Sequence, residues 1–230
     1  MIENDYFYRM LNSIFNSSAM IDLHTHTISH ADRPDIVEIV SSSKPLKGNV
    51  YSLERHPWYV DHEMNDTDQK ELKSLLQEEN CLALGEIGLD KLKGISFPEQ
   101  ISILRSLLKV AQDEKIPVVI HCVKAFNEII LLKKEFTAIP NWVIHGFNKH
   151  PKLAEELIDH GFYLSINPQK YSRSEEVLSA IPINRLFLET DNSSFLIEDN
   201  YIRTSEIVGI DVDELKTQIA QNAKHFFGHE

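Results

Sequence analysis

Cysteine is nearly absent from this chain: only Cys81 and Cys122 occur, far apart and in no zinc or redox spacing. That excludes a disulfide scaffold and reads as the usage of a reducing cytoplasm. Glycine and proline are also few, at 8 and 9 residues, and no low-complexity run, internal repeat or domain-splitting linker appears. No apolar run approaches the ~18 residues of a membrane span. The first 18 residues carry Glu3 and Asp5 with only Arg9 among basic residues, so no secretory signal is expected. Basic side chains are outnumbered, 23 to 35, for a net charge of −12. That argues against a broad basic surface tracking nucleic-acid backbone. It leaves room for a small pocket where metal ions supply the positive charge.

What is present is an ordinary globular composition, 42% hydrophobic over 230 residues, enough for one sizeable core and not too long for a single α/β barrel. Phe7, Leu11, Ile14 and Phe15 fall at helical spacing, so residues 1–19 are expected to be an N-terminal extension with a short amphipathic helix. Residues 20–230 are expected to form one barrel domain. Strands are expected near 20–24, 35–40, 49–53, 81–85, 117–121, 142–145, 162–166 and 185–189, several of them nearly all apolar, as strands buried on both faces are. From Asp66 onward helices alternate with them. Ser96 and Glu99 form a capping box before a helix. Pro151 opens another and Gly161 closes it, and Asp211 with Glu214 caps the last. Alternation implies parallel pairing and right-handed crossovers. The fold class predicted is an α/β TIM (β/α)8 barrel, trimmed of helices after strands 1 and 2 because those connections are too short.

The chemistry starts from Ala19 to His26, AMIDLHTH. In a strand, residues two apart share a face, so His24 and His26 can reach one ion together. The same arrangement, an apolar run ending in a ligand-type residue, recurs at Glu86, His121, His145 and Asp191. Each alone has a bland reading, as a half-buried histidine, a helix cap or a turn residue. Six at the C-terminal ends of barrel strands are more than one zinc needs and suit two divalent ions ~3.5–4 Å apart. A carboxylate can bridge two cations and imidazole cannot, so Glu86 is the expected bridge. His24, His26 and Asp191 would complete one site, and His121 and His145 the other. His56, in His56-Pro57-Trp58 after strand three, is either a turn residue or a substrate contact. Cys122 reads as a small core residue.

The motifs MIDLHTH, HPW, GEIGLD, PVVIHC, WVIHGF and LFLETD, with the closing QIAQNAKHFFG, resemble in order those of the TatD family of metal-dependent deoxyribonucleases. The resemblance covers about residues 20–228. It implies a TIM barrel hydrolase of phosphodiesters using Mg2+ or a similar ion, with His24, His26, Glu86, His121, His145 and Asp191 at the family's metal-binding positions. The chain departs from the pattern at Val123, where an arginine is common, and in a shorter Asn192 to Arg203 stretch. The expected activity is DNase-like hydrolysis of short or terminal nucleic acid or a small phosphoester, by a cytoplasmic monomer holding two divalent ions (Mg, Zn or Mn). Asp191 and Glu86 would be catalytic, with Asp191 taking the proton of the attacking water. His56, Lys124 and Asn148 would hold the substrate. The rival readings are an amidohydrolase-type C–N or lactone hydrolase, because such barrels also begin with H-x-H, and a metal-binding scaffold without activity.

Overall fold

A computed structural model describes residues 11–15, 18–30 and 32–228. In chain order the elements are β1 (Met20–Thr25), β2 (Ile36–Ser42), β3 (Tyr51–Leu53), α1 (Asp66–Leu76), β4 (Cys81–Asp90), α2 (Phe97–Glu114), β5 (Val118–Val123) and α3 (Phe126–Glu135). There follow β6 (Trp142–Ile144), α4 (Pro151–Asp159), β7 (Tyr163–Ile166), α5 (Ser174–Leu178), a 3-10 turn (Ile183–Arg185), β8 (Leu186–Leu188), α6 (Ile197–Val208) and α7 (Val212–Gly228). Sheet order follows chain order from β1 to β8, the order of a (β/α)8 barrel. Among the described residues no helix separates β1, β2 and β3. The expected trimming is found.

The contacts divide the chain into two compact units, residues 41–145 and the remainder. In the 41–145 unit, β3, β4, β5 and β6 pair in parallel. β4 was expected to end near Gly85 and β5 at His121; both run further. Pairing breaks after Leu84↔Val118 and resumes at Ile87↔Ile120, continuing to Asp90↔Val123. The physical reason is close approach. A Cβ on Gly85 would lie 2.5 Å from Val119 Cβ, and one on Gly88, where φ is +156°, would lie 1.9 Å from the His121 carbonyl oxygen. Glycine on both sides of Glu86 therefore lets the strands stay paired past the break. Every residue of β4 is buried, so Glu86 stands inside a strand and not in a loop after it. Gln100 of α2 clamps the end of β4, accepting from the Asp90 N–H at 2.8 Å and donating to the Asp90 carbonyl at 2.9 Å.

In the other unit β1 pairs with β2 in parallel, with a register shift between Asp22 and Thr25, and β7 pairs with β8. Tyr201 of α6 locks onto β1, its hydroxyl accepting from the Ile21 N–H at 2.8 Å. Leu215, Ile219, Ala223 and Phe226 of α7 are buried, as their spacing predicts. Asp211 caps that helix by accepting from the Asp213 N–H at 2.8 Å. Leu11 and Phe15 are buried too, and Phe15 stacks on Phe227 with ring centroids 5.4 Å apart. Phe7 lies outside the described residues. Neither Cys81 nor Cys122 stands in a disulfide, and burial pushes the Cys81 thiol up to about 12. Among the described residues no helix is long and apolar enough to cross a membrane.

Candidate metal centre

The 41–145 unit gathers four of the expected residues around one oxygen. Glu86 Oε1 lies 2.6 Å from His121 Nδ1, 2.8 Å from His145 Nε2 and 2.9 Å from His56 Nε2. Glu86 and His56 are buried, while His121 and His145 are half-buried. The His56 tautomer follows from its neighbour. Its Nδ1 accepts from the Trp58 backbone N–H at 3.1 Å, so the proton of the neutral ring sits on Nε2 and points at Glu86. The second nitrogen of His121 faces Asp90 Oδ2 at 3.4 Å. Burial works against the charge on Asp90, but bonds from the Trp58 indole at 2.8 Å, the Leu92 N–H and His121 hold its carboxyl below the usual range.

The other unit gathers the other three expected metal ligands. His24 is fully buried and His26, just past the end of β1, half-buried, and their rings meet edge to face at 5.0 Å. Asp191 follows β8, with its N–H donated to the His24 carbonyl at 2.9 Å and φ at +54°. Its Oδ1 is 3.8 Å from His26 Nε2, and its Oδ2 is 2.9 Å from Lys170 Nζ. Beneath them Asp22 is buried and accepts from the Thr190 N–H at 2.9 Å and the Thr190 hydroxyl at 2.5 Å. Burial nevertheless pushes its carboxyl up to about 8.

Of the expected substrate contacts, His56 stands with Glu86. Lys124 is exposed just past β5 with φ at +57°. Asn148 is half-buried, and its Oδ1 is buried with no hydrogen-bond partner among the described residues. Four residues beside these two groups carry no expectation from the sequence: Asp90 in the 41–145 unit, and Asp22, Asn167 and Lys170 in the other. Asp22 carried a readable signal, since Asp22, His24 and His26 alternate along one strand and so share a face. Asp90 was visible as a charge closing an apolar run. Nothing local marks Asn167 or Lys170.

The donor set fits a divalent ion. His121 Nδ1 and His145 Nε2 both lie within 2.8 Å of Glu86 Oε1, and imidazole nitrogen with carboxylate oxygen suits Zn2+ or Mn2+. Imidazoles and carboxylates gathered on and just past the strands of a parallel α/β barrel are the donor set that metal-dependent hydrolases use.

The comparisons agree. The family model of the TatD related DNases matches residues 10–228, and the chain belongs to that family. An uncharacterized metal-dependent hydrolase of Haemophilus influenzae is 24% identical over 193 residues, 79% of this chain and 74% of that protein. A 3'-5' ssDNA/RNA exonuclease TatD of Klebsiella pneumoniae is 33% identical over 133 residues, 55% of this chain and about half (51%) of that protein. The crystal structure of a TatD homologue from Escherichia coli K12 superposes with a TM-score of 0.77 at 19% identity, covering 92% of this chain and 98% of that one. That likeness shows the fold.

Proposed function

We propose that this chain is a divalent-metal-dependent phosphodiesterase that hydrolyses short or terminal nucleic-acid phosphodiesters, with His24, His26, Glu86, His121, His145 and Asp191 as metal ligands. The observation that carries the reading is the convergence of three imidazole nitrogens on Glu86 Oε1 at 2.6 to 2.9 Å. A buried carboxylate so surrounded, in a member of this family, is best explained as a cation cradle. Membership alone does not assign these residues; the clustering of His121 and His145 on Glu86, and of His26 beside Asp191, supports the assignment.

When bound, divalent ions supply polarisation of a phosphoryl oxygen and a lower pKa for the attacking water. The chain's residues do the rest. Asp191, at a strand end and half-buried, accepts the proton of that water at its carboxylate. The His56 N–H steers Glu86 by donating to Oε1, and the Trp58 backbone fixes the His56 ring in turn. Asn148, with its unpartnered Oδ1, and Lys124 are the polar contacts to substrate. Tyr59 is 74% exposed with its ring centroid 5.5 Å from that of His56. A base of single-stranded nucleic acid can stack on such a ring, which favours the nucleic-acid substrate named for the Klebsiella relative. The reading includes a cytoplasmic monomer; neither Cys81 nor Cys122 stands in a disulfide, the usage of a reducing compartment.

The test is metal analysis of the purified protein, followed by assays of a short end-labelled single strand with each ion found. Two ions per chain are expected, with activity lost on chelation and restored by Mn2+ or Zn2+. Asp191→Asn is expected to fold, yet to lose activity by a factor of at least about 100, the scale of a general base. Retained activity in that variant at parental metal loading would remove Asp191 from the catalytic role. A parent protein without bound metal, and inactive with every ion added, would overturn the reading as a whole.

A further inference from the structure

The cluster around Asp191 contains a cation that no motif announced. Lys170 lies past β7, and its Nζ stands 2.9 Å from Asp191 Oδ2. The placement is built from both sides by one residue. Asn167, buried, accepts from the Lys170 N–H at 3.1 Å through its side-chain oxygen. Its amide donates to the Thr190 carbonyl at 3.2 Å and to the Ser193 hydroxyl at 2.9 Å, on either side of Asp191. Gln169 next door donates to the Asp199 carbonyl at 3.0 Å. The loop carrying Lys170 and the segment carrying Asp191 are thus tied together at a buried hub, and the pairing of their side chains is set by that tie.

We infer that Lys170 is the phosphate anchor of this site and that, until a divalent ion arrives, it serves as the counter-ion of Asp191. The inference rests on the functional reading above. Its logic is competition for one carboxylate. Asp191 Oδ1 faces His26, the other group a cation would share, while Oδ2 is taken by the ammonium. An ion held by Asp191 and His26 would compete for the carboxylate charge that holds Nζ in place. The lysine side chain is 36% exposed and has a four-carbon stem with three donors. Its head is then free to turn to the nearest new anion, the phosphate brought by the substrate. In a chain with a net charge of −12, a cation held at the proposed base spares the unloaded site one uncompensated negative charge. Loading of a metal and gripping of the phosphate would in this way be the same movement of one side chain.

The experiment uses the full chain with Lys170→Met and Lys170→Arg. Mn2+ binding to the metal-free proteins is measured by calorimetry, and KM and kcat are measured for a short single strand with Mn2+ present. Lys170→Met loses a competing ammonium, so it is expected to bind Mn2+ about three-fold more tightly, on the scale of a partly exposed ion pair. It loses a charge-assisted bond to phosphate, so KM is expected to rise about ten-fold while kcat stays near the parent value. Inorganic phosphate should likewise bind the Mn2+-loaded variant more weakly. Lys170→Arg keeps the charge and should stay near the parent in both measurements. Unchanged Mn2+ affinity and unchanged KM in Lys170→Met would overturn the inference, as would Lys170→Arg behaving like Lys170→Met. A parent protein that binds no Mn2+ would overturn the functional reading and this inference with it. A parent that binds Mn2+ beside an unaltered Lys170→Met would overturn the inference only.

Discussion

At Glu86 one side-chain oxygen serves three imidazoles, and removing it has different consequences from removing any one of them. Deleting the carboxylate leaves His56, His121 and His145 without their common partner, in a place where Glu86 and His56 are buried and the other two rings half-buried. Unsatisfied buried groups of this kind cost about 1–3 kcal/mol each. If Glu86 bridges two ions, as its sequence position suggests, Glu86→Ala should lose both, whereas His145→Ala should lower the loading of mainly one. Metal content of the purified variants by mass spectrometry distinguishes the cases. Equal content in Glu86→Ala and the parent would sink the bridging role. His56 belongs to this scale as well. Its Nδ1 accepts from the Trp58 N–H, and its Nε2 stands 2.9 Å from Glu86 Oε1.

On the scale of elements, two packing arrangements hold the site in shape. The β4–β5 pair depends on Gly85 and Gly88, where a side chain would strike Val119 or the His121 backbone. The other is the seam between residues before β1 and α7. Although Leu11 and Phe15 precede the expected barrel boundary at residue 19, both are buried, and Phe15 lies flat on Phe227. Phe226 beside it meets Tyr163 of β7 and Phe187 of β8 edge to face, at 5.3 and 5.6 Å. Phe15→Ala should therefore destabilise the fold by about 3–5 kcal/mol, the usual cost of emptying a buried aromatic site. A denaturant titration measures it. A loss well under about 1 kcal/mol would show that the segment adds little to the core.

For the whole molecule the governing quantity is charge. A protein that grips long duplex by its backbone releases one counter-ion per phosphate contact, and its affinity falls steeply with salt. This chain has a net charge of −12, and any positive field from bound ions is screened within ~8 Å at physiological salt. Long duplex DNA is expected to bind weakly, with a shallow dependence of log K on log salt, and plasmid nicking should be slow beside trimming of short single strands. Binding measured between 50 and 200 mM salt checks this, those limits being roughly the range over which several phosphate contacts cost ~10^3-fold. Tight duplex binding with a steep slope would restore a plain endonuclease.

Much of this protein was decided locally and is therefore readable along the chain. Apolar runs of strand length alternate with helices opened by Ser96, Pro151 and Asp211. Two-residue periodicity sets His24 and His26 on one face, and ligand-type residues close or interrupt apolar strands at Glu86, His121, His145 and Asp191. These are properties of neighbours, and neighbours are visible in sequence. The extent of β4 and β5 past the expected ends was not visible, because pairing resumes only once the two strands lie side by side. Nor were the partners that tune the site. Trp58 reaches Asp90 across 32 residues, Lys170 reaches Asp191 across 21, and Thr190 reaches Asp22 across 168. Such pairs have no period and no motif. They exist because the chain is folded, since an ion pair or a buried hydrogen bond depends on distance in space, which separation along the chain does not encode.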